Sequence, residues 1–105
     1  MGITTHILDT AKGKPVSGLA VILSLQSKEG GWRELARGLS NADGRMADWK
    51  ETRLEKGNYR LVFATAAVSS FYPQVTVEFF VSDPDQHYHV PLLLSPFGYS
   101  TYRGS

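Results

Sequence analysis

Apolar and polar residues alternate with a period of two along three stretches of this chain, at residues 19–26, 59–64 and 75–81. Because successive side chains of a β-strand point to opposite faces, this period predicts three strands that each bury one face. Clusters of Gly, Pro, Asn and Asp separate the apolar stretches and are typical of turns. No segment has the period of an amphipathic helix. The pattern therefore predicts an all-β fold, either a sandwich or a barrel.

A different pattern marks residues 90–94, where every side chain is apolar. Such a run is typical of a strand that is covered on both faces. Since a two-layer sandwich covers only one face of each strand, the run predicts that a second copy of the chain covers the other face. The alternative interpretation is a strand whose outer face is partly covered by the chain's own loops.

Length, composition and charge narrow the class of function. With 105 residues, the chain is expected to form a single domain over 1–105, large enough for one core without disulfides. The absence of cysteine excludes a thiolate nucleophile and a Cys-ligated zinc site. The 11 basic and 10 acidic residues nearly balance, so the chain lacks the positive surface that nucleic-acid binding requires.

Hydropathy bears on localisation. No apolar run approaches the ~20 residues that a membrane-spanning helix needs. Residues 1–6 have neither the basic nor the apolar region of a signal peptide. A cytoplasmic protein with no membrane partner and no nucleic-acid partner is therefore expected.

The histidines are the first candidates for chemistry. His87 and His89 share a face if their strand is regular, and His6 lies in another strand-like run at residues 4–9. Histidine is suited to general acid–base catalysis because its ordinary pKa of about 6.5 lies near neutral pH. Two alternatives to a catalytic role stay open at this point. One is that the three histidines are ordinary strand residues, and the other is that they bind zinc together with a water molecule.

Arg45 and the C-terminal residues 101–105 are weaker candidates on their own. Arg45 follows a turn signature at residues 41–44 and could simply be a solvated arginine at the start of a strand. A chain end is by default frayed. This one follows a strand-like segment without linker composition, however, and it carries Tyr102 and Arg103, which suit fixed contacts.

Four separated segments together resemble the 5-hydroxyisourate hydrolases, enzymes of urate breakdown that have the transthyretin fold. The segments are Thr-His-Ile-Leu at 5–8, Asp-Gly-Arg at 43–45, His-Tyr-His-Val-Pro-Leu-Leu-Leu at 87–94 and Tyr-Arg-Gly-Ser at 102–105. The resemblance implies a transthyretin-like antiparallel sandwich of two sheets. It also implies hydrolysis of 5-hydroxyisourate to 2-oxo-4-hydroxy-4-carboxy-5-ureidoimidazoline. The alternative is a transthyretin-like carrier of small molecules without catalytic activity.

The resemblance also implies roles for particular residues. His6, Arg45 and His89 would be catalytic, with the histidines moving protons and the arginine holding an oxygen of the substrate. Four residues would bind the substrate: Tyr102, Arg103, Gly104 and Ser105. Gly104 is expected to allow a backbone turn closed to other residues, and His87 receives no role. No cofactor and no metal are implied, and the assembly would be a homotetramer, a dimer of dimers with active sites between the dimers.

In one place the chain departs from the family pattern. Family members carry a short helix before the segment that matches Phe-Tyr-Pro at 71–73, but here only residues 65–70 are available for it. We therefore predict that this helix is reduced to a turn or absent. None of the four matching segments lies there, so the predicted function does not depend on it.

Overall fold

The computed structural model describes residues 2–46 and 53–104, and in this part the chain forms ten strands and one 3₁₀ helix. The strands are β1 (Ile3–Thr4), β2 (Ile7–Asp9), β3 (Lys14–Pro15), β4 (Ala20–Gln26), β5 (Trp32–Leu39), β6 (Gly57–Phe63), β7 (Val75–Val81), β8 (Tyr88–His89), β9 (Leu92–Ser95) and β10 (Gly98–Thr101). The all-β prediction is confirmed. The three alternating stretches form β4, β6 and β7, whereas the sequence pattern does not predict β5.

Two four-stranded sheets form the sandwich, with the orders β10-β9-β2-β3 and β5-β4-β6-β7. Neighbouring strands are antiparallel, with the exception of β1 beside β8 and β2 beside β9, which run parallel. The backbone N–H groups of Val90 and Leu92 donate to the carbonyls of Thr4 and His6, at 2.8 and 2.9 Å. These bonds join the β1–β8 and β2–β9 pairs into one continuous parallel pairing of residues 3–9 with residues 88–94, called here the parallel seam. The predicted antiparallel sandwich is therefore present, with one parallel seam that the alternation does not reveal.

The core lies between the two sheets and is built from the inward-facing residues of the alternating strands. Its main members are Ile7, Leu19, Val21, Leu23, Leu25, Tyr59, Leu61, Phe63, Val75, Val77, Val81 and Leu92. Full burial of one such aliphatic side chain contributes roughly 1.5–3 kcal/mol. Ile7 and Leu92 are fully buried and face each other in the parallel seam. The seam is therefore anchored to the core next to His6.

Burial corrects the interpretation of residues 90–94. Val90, Pro91, Leu92 and Leu94 are all buried within a single chain, and Leu93 is half-buried. The run therefore does not leave an uncovered apolar face, and it does not by itself require a second copy of the chain. Its continuous apolar character instead reflects a strand that lies between the core on one side and covering segments of its own chain on the other.

The predicted reduction of the family's helix is confirmed. A 3₁₀ helix at Thr65–Ala67 makes a single turn. It is held by Thr65, whose buried hydroxyl donates to the Tyr72 carbonyl at 2.6 Å. None of the helices in the described residues is long and apolar enough to cross a membrane.

Candidate active site

The parallel seam brings the histidines together. Residues 2–9 run alongside residues 88–94, with Thr4 opposite His89 and Ile7 opposite Leu92. Parallel strands lie less than 5 Å apart, so side chains more than eighty residues apart in sequence become neighbours. The pairing therefore places His6 at the same end of the sandwich as His87 and His89.

A turn at residues 41–44 adds Arg45 to this end. The Asn41 side-chain oxygen accepts hydrogen bonds from the backbone N–H groups of Asp43 and Arg45, at 2.9 and 3.0 Å. Such side-chain capping is the reason that asparagine favours turns. Arg45 then forms an antiparallel bridge with His6. The turn therefore fixes the backbone of the arginine against the first histidine.

Gly44 makes this docking possible. Its φ is +78°, which lies in the left-handed region that favours glycine. A Cβ atom at this position would lie 2.5 Å from the Ile7 carbonyl oxygen and 3.2 Å from Cδ2 of His6. The Gly44 carbonyl accepts from the Ile7 N–H at 2.9 Å. A residue with a side chain would push the turn, and Arg45 with it, away from His6.

Hydrogen bonding defines the tautomer of His6. Its Nε2 lies 2.7 Å from the carbonyl oxygen of Asp43. Because a carbonyl oxygen can only accept, Nε2 of His6 carries the proton in this bond. In the neutral ring the lone pair is then on Nδ1, and this is the nitrogen left for proton transfer.

Thr4 links the other two histidines. Its hydroxyl oxygen lies 2.9 Å from Nε2 of His87 and 2.8 Å from Nδ1 of His89. The prediction that His87 and His89 share one face is therefore confirmed, since both rings reach the same hydroxyl. The bond to Nδ1 leaves Nε2 of His89 for other contacts.

An open cleft of about 650 Å³ is lined by Thr4, Thr5, Asn41, Arg45, Met46, His87 and His89. His6 is not among these lining residues, and it adjoins the cleft through its backbone bridge to Arg45. Burial lowers the pKa of His89 below its ordinary value of 6.5, and the charge of Arg45 lowers it further, with His6 and His87 contributing in the same direction. Both effects favour the neutral form of His89, and burial is the larger of the two causes. The cleft can hold a small polar molecule beside an arginine and a histidine that remains a base near neutral pH.

The C-terminal residues approach the site in different ways. Gly104 forms a bridge with His89, and its N–H donates to the His89 carbonyl at 2.8 Å. Its φ does not lie in the left-handed region, so the expectation of a turn closed to other residues is wrong. The absence of a side chain matters for another reason. A Cβ at Gly104 would lie 2.7 Å from Cδ2 of His89.

Tyr102 and Arg103 do not line the cleft in the single chain. The Arg103 guanidinium lies over the Tyr88 ring at 4.3 Å and donates to the Gln86 side chain at 2.8 Å. It also donates to the His87 carbonyl at 3.3 Å. The Tyr102 side chain is exposed. Arg103 therefore ties the tail to residues 86–88, and the predicted Ser105 lies outside the described residues.

The zinc alternative finds no support in residues 2–46 and 53–104, where no three His, Asp or Glu side chains are arranged to hold a metal ion. The three histidines bond instead to a threonine hydroxyl and a backbone carbonyl.

Comparison with known proteins places this geometry in a family. Residues 3–104 match the HIUase/Transthyretin family. The chain belongs to that family. A 5-hydroxyisourate hydrolase from Caulobacter vibrioides is 47% identical to it, over 99% of this chain and 98% of the relative.

Solved structures of the family include both of its branches. The Klebsiella pneumoniae 5-hydroxyisourate hydrolase superposes with a TM-score of 0.80 at 36% identity, over 98% of each chain. Transthyretin from Sparus aurata superposes with a TM-score of 0.88 at 32% identity, over 97% of this chain and 95% of that one. The backbone alone therefore does not separate the two branches of the HIUase/Transthyretin family, and the side chains of the cleft must do so.

Two site residues have no signal that sequence reasoning could use. Threonine is common in β-strands, so nothing in the sequence distinguishes Thr4. Only the structure shows that its hydroxyl forms hydrogen bonds with two histidines across the parallel seam. Asn41 belongs to a recognised turn signature, but the pattern does not show that the turn docks beside His6.

Proposed function

We propose that this protein hydrolyses 5-hydroxyisourate to 2-oxo-4-hydroxy-4-carboxy-5-ureidoimidazoline, a step of urate degradation. The observation that carries the proposal is the convergence of His6, Arg45 and His89 on one end of the sandwich, through the parallel seam and the 41–44 turn. Curated relatives at 43–47% identity, from mouse to Caulobacter vibrioides, are named 5-hydroxyisourate hydrolase.

The chemistry requires a base, an oxyanion partner and an acid. A water oxygen attacks a ring carbonyl carbon while a neutral histidine takes a proton from that water. The lowered pKa of His89 favours its neutral form at pH 7. Arg45 stabilises the developing oxyanion, since its guanidinium does not deprotonate. The ring C–N bond then breaks, and a histidine gives a proton to the leaving nitrogen. One water is thereby added across the bond.

The proposed proton carriers are His6 and His89, each through the nitrogen that its structural bond leaves available. These are Nδ1 of His6, opposite the bond to Asp43, and Nε2 of His89, opposite the bond to Thr4. No cofactor has a part in this scheme. Tyr102, Arg103, Gly104 and Ser105 are proposed to close the site and to orient the substrate, and the contact of Gly104 with His89 supports a position for the tail beside the cleft.

We further propose a homotetramer, a dimer of dimers with sites between the dimers. Support comes from exposed aromatic side chains and not from residues 90–94. Phe71 contacts Tyr72 and Phe97 with ring centroids 4.9 and 5.6 Å apart, and Tyr72 contacts Tyr99 at 5.2 Å. Phe71, Phe97 and Tyr99 are nevertheless exposed, as expected for an interface. Light scattering tests this proposal, and a mass near 11.6 kDa for the active species would contradict it.

One assay tests the proposed activity. Purified protein is added to freshly generated 5-hydroxyisourate, and the ultraviolet absorbance of the substrate is followed. We expect decay much faster than the spontaneous reaction, with loss of the acceleration in the His89→Ala variant. A wild-type protein that does not accelerate decay but binds the substrate would instead support the carrier alternative. No observation on the chain or its relatives currently favours that alternative.

A further inference from the structure

The Thr4 hydroxyl holds two histidines at hydrogen-bond distance at once. The backbone around it is fixed, because Thr4 pairs with His89 in the parallel seam and its carbonyl accepts from Val90 N–H at 2.8 Å. The hydroxyl oxygen lies 2.9 Å from Nε2 of His87 and 2.8 Å from Nδ1 of His89. The chain Nε2–Oγ1–Nδ1 is therefore a continuous hydrogen-bonded path from one imidazole to the other.

A hydroxyl has one proton, so it can donate to only one of the two rings and must accept from the other. Two arrangements follow for neutral rings. In the first, His89 donates from Nδ1 to Thr4, and Thr4 donates to His87, which leaves a lone pair on Nε2 of His89. In the second, His87 donates to Thr4, and Thr4 donates to Nδ1 of His89, which leaves a proton on Nε2. The first arrangement makes His89 a base, and the second makes it an acid.

We propose that Thr4 and His87 are positioning residues that relay protons to and from His89. This proposal rests on the proposed hydrolysis and adds to it that His89 acts at both stages, first as the base and then as the acid. In the first stage Nε2 of His89 takes a proton from the attacking water, the Nδ1 proton passes to Thr4, and the Thr4 proton passes to Nε2 of His87. The positive charge then lies on His87. In the second stage Nε2 of His89 gives its proton to the leaving nitrogen, while Thr4 returns a proton to Nδ1 of His89 and His87 returns its proton to Thr4, so that all three groups are restored.

The relay also explains where the positive charge lies between the two stages. His87 is exposed, whereas His89 is half-buried. A charge on His87 is therefore solvated by water, and the proton that the product carboxylic acid loses at neutral pH goes directly to solvent. The charged and titratable groups that act on His89 are Arg45, His6 and His87, all of which disfavour a lasting charge there.

The C-terminal tail holds the outer end of the relay. The Arg103 guanidinium bonds the Gln86 side chain at 2.8 Å and the His87 carbonyl at 3.3 Å, and it lies over the Tyr88 ring. These contacts fix the backbone on both sides of His87. Arg103 lies outside the cleft, and its predicted role in substrate binding does not explain this position. A tail that orients His87 does explain it.

Substitutions at Thr4 test the relay first. Thr4→Val keeps the shape of the side chain and removes the hydroxyl, and Thr4→Ser restores a hydroxyl. We expect Thr4→Val to lower kcat about tenfold, the factor for one hydrogen bond lost in the transition state, with little change in KM. Thr4→Ser should recover most of that loss. Thr76→Val is the matched control, because Thr76 is an exposed threonine of β7, and its kcat should equal that of the wild type.

Chemical rescue of His87→Ala separates proton transfer from a purely structural role of His87. We expect its kcat to fall and to be restored by added imidazole, since an exposed site admits a small base from solvent. The double variant Thr4→Val/His87→Ala should not be rescued, because the hydroxyl that links the added base to His89 is gone. Equal rescue of the double variant, or wild-type kcat in Thr4→Val, would overturn the relay.

NMR of labelled ring nitrogens separates this proposal from the proposed function. In the free protein, Thr4→Val should change the fraction of His89 that carries its proton on Nδ1, whether or not any substrate is turned over. An unchanged tautomer fraction would contradict the relay even if the enzyme is active. A wild-type protein without hydrolase activity would contradict the proposed function, and the tautomer measurement would still report on the Thr4 bonds.

Discussion

Gly104→Ala perturbs the site without removing any titratable group. The new Cβ would lie 2.7 Å from Cδ2 of His89, whereas ordinary contacts begin at 3.4 Å, so the ring or the tail must move by about 0.7 Å. The same Cβ would also lie 3.3 Å from Cβ and Cγ of His89, so rotation of the ring alone does not relieve the contact. The backbone bridge between Gly104 and His89 opposes movement of the tail.

The expected loss follows from the cost of misplacing a reacting group. Displacement by about 1 Å can lower a rate ~10²-fold, so a shift of about 0.7 Å predicts a loss of kcat/KM of roughly 10- to 100-fold. The overpacking itself costs ~1–3 kcal/mol in a rigid core, and a value near the lower end is expected at a chain end.

The assay is the decay of 5-hydroxyisourate absorbance at several substrate concentrations, together with thermal unfolding. Gly98→Ala is the matched control in the adjoining strand, because its Cβ would meet Ser95 Oγ at an ordinary 3.5 Å. The control should keep wild-type kcat/KM. If Gly104→Ala has wild-type kcat/KM, or if both variants lose the same activity, the glycine does not position His89 and the reasoning is refuted.

The remaining predictions concern the same site. His6→Ala and His89→Ala should each lower kcat by ~10² to 10⁴-fold while the assembly state is unchanged, and retention of activity by either variant would remove that histidine from the mechanism. Because the pKa of His89 is lowered, the acid limb of kcat/KM should lie below pH 6.5, and a limb at or above that value would contradict the assigned base. Deletion of residues 102–105 should abolish most activity with little change in melting temperature; wild-type kcat/KM would identify the tail as dispensable. Exhaustive chelation should leave turnover unchanged, and loss of activity that zinc restores would reveal a metal site.

The sequence predicts those parts of the fold that depend on local patterning. Strands β4, β6 and β7 each have one face in the core, so their alternation is visible in the chain. Strand β5 is not visible in this way, because it lies at the edge of its sheet and all its residues are exposed or half-buried. Only Leu35 and Ala36 of β5 pack against the core, and they are adjacent in sequence, so this edge strand shows no alternation.

The site is a different case, since its geometry arises from long-range contacts. Residues 2–9 and 87–94 meet in parallel, and the spacing of histidines in the chain does not report that pairing. The resemblance selects His6, Arg45 and His89, and the structure brings them to one end of the sandwich. It gives no role to Thr4 or His87, whose importance comes from a side-chain bond across the seam. It also groups Arg103 with the substrate-binding residues, although in the single chain Arg103 bonds the segment around His87.

Backbone approach, and not side-chain packing alone, holds the two proposed proton carriers in place. Gly44 and Gly104 each lie against one imidazole, where a Cβ would come within 3.2 Å of His6 Cδ2 or 2.7 Å of His89 Cδ2. By contrast, Gly13, Gly18 and Gly30 have positive φ but open space around them, so they serve the turns alone. The distinction is physical. A turn glycine is needed for its own conformation, whereas Gly44 and Gly104 are needed for the position of another residue.

Both glycines are also connected to the segments of the histidines through the main chain. Gly104 forms a backbone bridge with His89, and Gly44 precedes Arg45, which forms a bridge with His6. Main-chain hydrogen bonds therefore connect both rings to the sandwich. Rings held in this way keep their positions while protons move, as acid–base catalysis requires.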